Sequence, residues 1–87
     1  MTIKVTQEHI DHGKQGHSAR CPVALASREV IKDWAPSKQS VSVSEKSVVI
    51  GGLKRGQYYQ LDESTRAFIV AFDFGESVAP FEFDLPL

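Results

Sequence analysis

The residues of this chain best suited to chemistry lie in one short window near its start. Its three histidines and its single cysteine are His9, His12, His17 and Cys21. Imidazole and thiolate groups are ligands of tetrahedral zinc, and His9 and His12 would share a helix face because they lie three positions apart. The spacing matches no standard zinc finger, so we favour solvated histidines without a cofactor and keep zinc at these four residues as an alternative.

Cys21 directly precedes Pro22, which suits the first position of a helix. A thiol at a helix N-terminus is expected to have a lowered pKa, and His12 or His17 would then be the base for nucleophilic catalysis. Neither an oxyanion site nor a pair of carboxylates accompanies it in the sequence. We therefore predict that the protein is not an enzyme and that Cys21 is a small buried residue.

A second window combines glycines with cations. Residues 51–56 read Gly-Gly-Leu-Lys-Arg-Gly, and Tyr58 and Tyr59 follow. Phosphate contacts from Lys54 and Arg55, with base stacking on Tyr58 and Tyr59, would suit a nucleotide or a single-stranded nucleic acid. The order differs from that of a phosphate-binding P-loop, and the net charge of −1 gives no support for strong backbone binding. A turn between strands is the preferred interpretation, and we expect no nucleic-acid partner.

Hydrophobic patterning predicts the elements that position these windows. Alternating residues indicate strands near 3–5, 40–44 and 81–85. β-branched residues before two glycines indicate another at 47–50, and a further strand is predicted at about 57–61. Thr6 is a suitable N-cap for a short helix that ends at Gly13, and an amphipathic helix runs from Pro22 to about Trp34. The predicted fold class is α+β, with one antiparallel sheet of about four or five strands packed against two main helices.

A third helix is predicted from its N-cap at Asp62 to the stop at Gly75. It is apolar on nearly all sides, because only Arg66 and Asp73 form a narrow polar stripe. Such a helix is normally buried on both sides, by a sheet and by either a second helix or a partner. The sequence therefore predicts an interaction surface that contains Val70 and Phe74, with Arg66 and Asp73 beside them.

Composition and charge indicate a small folded domain with charged surfaces. The 87 residues are 41 % hydrophobic and 24 % charged, which predicts one small domain over residues 1–87 and excludes a disordered tail. Basic residues dominate 1–61 and acidic residues dominate 62–87, so opposite faces are available to partners unless folding brings them together. A homodimer is one form of such an interaction, because a chain of this size gains stability from a second subunit.

The sequence suggests a location in the cytoplasm. A single cysteine cannot form an internal disulfide, and the first residues lack the apolar core of a secretory signal. No apolar run approaches the roughly 20 residues that cross a bilayer. We expect no membrane partner, and a location in the host cell cytoplasm if the protein is phage-encoded.

Four segments carry a resemblance to a known group of proteins. They are Val-Thr-Gln-Glu-His-Ile at 5–10, Cys-Pro-Val-Ala-Leu-Ala at 21–26, Phe-Ile-x-x-Phe-Asp-x-Gly at 68–75 and Pro-Phe-x-Phe-Asp-Leu at 80–85. With these segments the chain resembles small uncharacterised proteins of bacteriophages and prophages. Many of those proteins have a second cysteine three residues before the Cys-Pro pair, where this chain has Ser18. The metal or redox role that such a pair implies does not carry over.

The resemblance implies a phage-type accessory protein without a known activity. Together with the apolar third helix, it predicts a non-enzymatic interaction protein that binds and modulates a host or phage protein, with a host-defence component as one candidate partner. Two alternatives remain. One is a small-ligand or metal-binding domain that uses the histidines and Cys21, and the other is a nucleotide or single-strand binder that uses the basic glycine-rich loop.

Overall fold

The computed structural model describes residues 2–34, 41–44, 46–52 and 55–85. In chain order its elements are β1 (Thr2–Val5), α1 (Gln7–His12), α2 (Pro22–Trp34), β2 (Val41–Val43), β3 (Ser47–Gly52), β4 (Arg55–Gln60), α3 (Glu63–Asp73) and β5 (Phe81–Asp84). This mixture of helices and antiparallel strands confirms the α+β class. Within the described residues, none of the helices has the length and apolar character needed to cross a membrane.

The strands form two sheets where the sequence predicted one. β1 pairs with β5, while β2, β3 and β4 form a separate three-stranded antiparallel sheet. The loop before α2 bonds to β2, because the Val43 N–H donates to the Ser18 carbonyl at 2.8 Å. That contact occupies the edge of β2 that faces away from β3, where a further strand would have to pair with β2. The prediction of one sheet with four or five strands is therefore wrong, and each sheet is smaller.

The predicted hairpin is confirmed in its pairing. Val41 lies opposite Ile50 and Val43 lies opposite Val48, so all four apolar side chains share the buried face. Glu45, predicted in the turn, lies outside the described residues. β4 begins at Arg55, two residues before the start expected from the sequence.

α1 begins and ends where the sequence predicts, but its end has a different cause. The Thr6 side chain accepts the His9 N–H, as expected of an N-cap. Gly13 follows the helix in an extended conformation rather than in the left-handed one. A Cβ at Gly13 would stand 2.6 Å from the Pro22 ring, so the glycine permits a close approach between α1 and the start of α2.

α2 is the best-buried helix of the described chain. It contacts β1, α1 and β2. Its inner side chains are almost fully shielded from solvent, and they are Pro22, Val23, Ala24, Ala26, Ser27 and Ile31. They pack with Ile3 and Val5 of β1 in the common hydrophobic core. Burial of this many apolar groups is the main source of stability in so small a fold.

α3 is fixed at both ends, as its start and stop signals predict. The Asp62 carboxylate accepts the Thr65 N–H at 2.7 Å at the N-terminus. At the C-terminus Gly75 adopts a positive φ of 76°, and the Glu76 N–H donates to the Ala71 carbonyl at 2.9 Å. This pattern is a Schellman motif, which needs a glycine-like conformation at its left-handed position.

The inner side of α3 is aromatic. Phe68 lies 4.4 Å from Phe81 of β5 between ring centroids, and Phe72 follows Phe68 one turn later at 6.4 Å. Both α3 rings and Ile69 are buried. α3 is therefore held against the β1–β5 side of the fold through one face only.

Candidate functional site

The other side of α3 carries the most exposed large apolar residue of the described chain. Phe74 is 80 % exposed and Val70 is 39 % exposed, and both lie on the side of the helix opposite the buried rings. Arg66, Ala67 and Glu63 share this side at helical spacing and are exposed as well. We call these five residues the outer face of α3.

A groove of about 420 Å³ runs beside the outer face. Its lining combines small apolar residues with charges of both signs, and it includes Lys46, Glu63, Arg66, Ala67, Val70 and Glu76. Lys46 directly precedes β3, and Glu76 is the last residue of the Schellman motif. The structure thus places an apolar strip inside a charged rim, which is the usual composition of a protein-binding surface.

Asp73 has a different role from the one predicted for it. Its carboxylate accepts the Gly16 N–H at 3.0 Å, and the neighbouring Phe72 carbonyl accepts the Gln15 side-chain amide at 3.0 Å. These two bonds attach the loop before α2 to the C-terminal end of α3. Asp73 is exposed, but it positions a loop on the flank of the helix instead of facing the groove beside Val70.

A second cleft, of about 490 Å³, lies between that loop, β2 and α3. Apolar Cys21, Val43 and Ile69 line it together with His17, Lys46 and Asp73. We call it the Cys21 cleft. Its size falls within the range of small-molecule sites, which are commonly about 300–1,000 Å³.

The thiol in this cleft is not activated. Burial raises the pKa of the Cys21 thiol above its usual value, and hydrogen bonds from the backbone of Ala24 and Val23 oppose the rise only in part. The expectation of a lowered pKa at the helix N-terminus is therefore wrong, because desolvation outweighs the local dipoles. Among the described residues, the His17 ring shares no hydrogen bond with the thiol. The pair lacks the contact that a nucleophile and its base require.

The four residues considered as zinc ligands are divided between two places. His17 and Cys21 line the Cys21 cleft, whereas His9 and His12 line a cleft of about 320 Å³ between α1 and α2. No group of three or more histidine, cysteine, aspartate or glutamate side chains in the described part of the chain is arranged to hold a metal ion. The geometry gives the predicted zinc set no common centre.

His9 is a structural residue. It is 6 % exposed, its Nδ1 accepts the Thr6 N–H at 2.9 Å, and its Nε2 lies 2.9 Å from a Glu29 carboxylate oxygen of α2. Because Nδ1 is an acceptor, Nε2 carries the proton and donates to Glu29. The prediction of a solvated histidine is wrong at this position, while His12 and His17 are exposed as expected.

The basic loop is described only in part. Lys54 lies outside the described residues, and only the backbone of Arg55, at the start of β4, is described. Tyr58 is 66 % exposed, while Tyr59 packs against the core from the opposite face of the sheet. Adjacent residues of a strand point to opposite faces. The two rings therefore do not form one stacking platform, contrary to the predicted arrangement.

Comparison with known proteins adds no relative. No protein-family model, curated protein or solved structure matches the chain. The geometry of its own residues is thus the basis for assigning a function.

Sequence reasoning located the outer face of α3 but missed Lys46 and Glu76, which complete its groove. Both residues lie outside α3, so the helical periodicity of α3 contains no signal for them. It also missed the contact between His9 and Glu29. The sequence does contain a signal for the other contact of His9, the one with Thr6, because His9 stands three residues after Thr6, at the position that closes a capping box.

Proposed function

We propose that this chain is a non-enzymatic interaction protein of the phage accessory type, which binds and modulates a host or phage protein through the outer face of α3. The observation that carries the proposal is the exposure of Phe74 and Val70 on one side of a well-formed helix. Large apolar side chains that stand together on a surface commonly mark protein-binding sites.

Fraying of the helix does not account for the exposure. Asp62 accepts the Thr65 N–H of the first turn, and the Schellman motif at Gly75 satisfies carbonyls of the last turn. Phe74 is therefore held outward at the end of a closed helix. An aromatic side chain presented in this way needs little ordering when it binds, which favours its use as an anchor.

A second exposed apolar pair provides a comparison. Val49 and Tyr58 lie opposite each other on β3 and β4 and face solvent. Neither of them lines the groove beside α3, the Cys21 cleft or the cleft between α1 and α2. The outer face of α3 combines greater exposure with a groove and a charged rim, so it is the better candidate surface.

The test introduces a photo-crosslinking amino acid at Phe74 and, in a separate variant, at Tyr58 as a matched exposed aromatic. Both proteins are expressed in host cells under infection and irradiated, and crosslinked partners are identified by mass spectrometry. We expect one host or phage protein to crosslink from position 74 and not from position 58. Its loss with an added Val70→Asp substitution would confirm the surface, whereas equal crosslinking from both positions would refute it.

The Cys21 cleft supports a second candidate function, the binding of a small ligand. Its volume and its apolar lining with a few polar groups suit an organic molecule. Native mass spectrometry of the protein purified from its host tests this candidate. A bound mass that disappears in a Ser18→Trp variant, which fills the cleft from an exposed position of its lining, would support it. Protein without any added mass would leave the outer face of α3 as the functional site.

A further inference from the structure

Along the outer face of α3, the sizes and charges of the side chains are arranged so that the face is complementary to a second copy of itself. This inference rests on the proposed function, because it names what covers the same surface when no other partner is bound. We infer that a second copy of the chain docks there, with the two α3 helices antiparallel about a two-fold axis that passes between Val70 and Ala71. The resulting homodimer is reversible.

The sizes of the side chains fit this arrangement. With the axis between residues 70 and 71, Phe74 of one copy lies over Ala67 of the other, and Val70 lies beside Ala71. Ala67 is exposed and lines the groove, so it leaves room for an aromatic ring. A two-fold axis repeats this contact, and each copy therefore contributes one large side chain and one small one.

The charges fit the same arrangement. Arg66 lies in the N-terminal half of α3 and Glu76 lies beyond its C-terminus, and both line the groove. Side chains on a helix lean towards its N-terminus, so Arg66 reaches towards the C-terminal end of an antiparallel partner. There it meets Glu76 of the other copy, at the negative end of the helix dipole.

These two groups are available for pairing. Among the described residues, neither the Arg66 guanidinium nor the Glu76 carboxylate has an ion-pair or hydrogen-bond partner within its own chain. Lys46 adds a second cation beside Arg66, and Glu63 adds a carboxylate. A parallel arrangement would instead bring the like charges of the two copies together, which costs binding energy.

The expected dimer is weak because the contact is short. α3 has 11 residues and is therefore about 16 Å long. A contact of this length, with two large apolar side chains from each copy, falls below the roughly 1,600 Å² of a standard stable interface. Self-association of this strength leaves the surface accessible to a better-matched partner.

Charge reversal in two separate variants tests the pairing. Arg66→Glu and Glu76→Lys should each weaken self-association by about tenfold, since each places like charges opposite one another twice in the dimer. An equimolar mixture of the two variants should restore association to about the wild-type level, as a heterodimer. Sedimentation equilibrium over a range of concentrations measures all three samples, and circular dichroism checks that each variant is folded.

Arg20→Glu and Glu82→Lys are matched controls, because they make the same charge changes at exposed residues away from α3. Neither should alter self-association. The inference is overturned if wild type stays monomeric at all concentrations, or if the mixture associates no better than its components. In either case, crosslinking of another protein from position 74 would still support the proposed function. If the protein neither self-associates nor crosslinks to another protein from position 74, both the dimer and the proposed function are refuted.

Discussion

α2 and α3 are both amphipathic, yet they use their apolar residues differently. α2 buries Val23, Ala26 and Ile31 and contacts three other elements, namely β1, α1 and β2. α3 buries Phe68, Ile69 and Phe72 but leaves Val70 and Phe74 exposed to solvent. α2 therefore serves the fold, whereas α3 serves it with one face and exposes the other, which we propose as the binding surface.

The largest effect should come from truncation in α2. Ile31→Ala removes a fully buried side chain and leaves a cavity, so we expect a loss of about 2–5 kcal/mol in the free energy of unfolding. Val70→Ala on the outer face of α3 is the matched control and should change it by about 0.5 kcal/mol or less. Urea denaturation followed by circular dichroism measures both. Similar losses in the two variants would remove the distinction between the helices.

The contact between α1 and α2 gives the next effect. His9→Ala removes a buried ring together with its bonds to the Thr6 N–H and to Glu29, and we expect a loss of about 1–3 kcal/mol. His12→Ala, on the same helix but exposed, should cost about 0.5 kcal/mol or less. Thermal unfolding of the two variants separates these outcomes. An equally small effect of both would show that His9 does not help to hold α2 in place.

The N-cap of α3 gives a smaller effect that depends on pH. Hydrogen bonds from Thr65 and Ser64 hold the pKa of Asp62 below its usual value. A lowered folded-state pKa means that the carboxylate stabilises the fold at neutral pH and that this contribution is lost as pH falls through the folded-state value. Asp62→Ala should cost about 1 kcal/mol at pH 7.

The difference between Asp62→Ala and wild type should shrink as the pH falls below the ordinary aspartate pKa of about 4, and it should vanish as the pH passes through the lower folded-state pKa. Asp62→Asn is the control, because asparagine keeps a capping oxygen without the titrating group. Denaturation at pH 7 and at a series of lower pH values provides the measurement. A difference that grows on acidification would contradict the assigned role of the carboxylate.

Much of the local structure followed from the sequence because its signals are local. Pro22 marks the start of α2, Asp62 and Gly75 mark the two ends of α3, and alternation marks the hairpin. Strand pairing over long distances did not follow, since β1 and β5 are far apart in sequence and nothing in either strand specifies its partner. Alternation indicates which face of a strand is buried and leaves its neighbours open.

The candidate site was predictable only where it depends on the local spacing of residues along α3. Helical spacing identified Val70, Phe74 and Arg66 as neighbours, and the structure places all three on one exposed surface. Spacing could not show that Asp73 bonds to the Gly16 N–H or that burial dominates at Cys21. Both depend on a loop whose path is determined by tertiary contacts rather than by its own pattern.

The two faces of α3 differ in burial, and the two phenylalanines on either side of Asp73, namely Phe72 and Phe74, provide a direct test. The measurement is the free energy of unfolding of Phe72→Asp and Phe74→Asp at a protein concentration low enough to keep every sample monomeric. Phe72 is buried and Phe74 is exposed, so the first substitution should cost at least about 3 kcal/mol and the second about 0.5 kcal/mol or less. Comparable losses in the two variants would show that Phe74 belongs to the core and that α3 has no separate outer face.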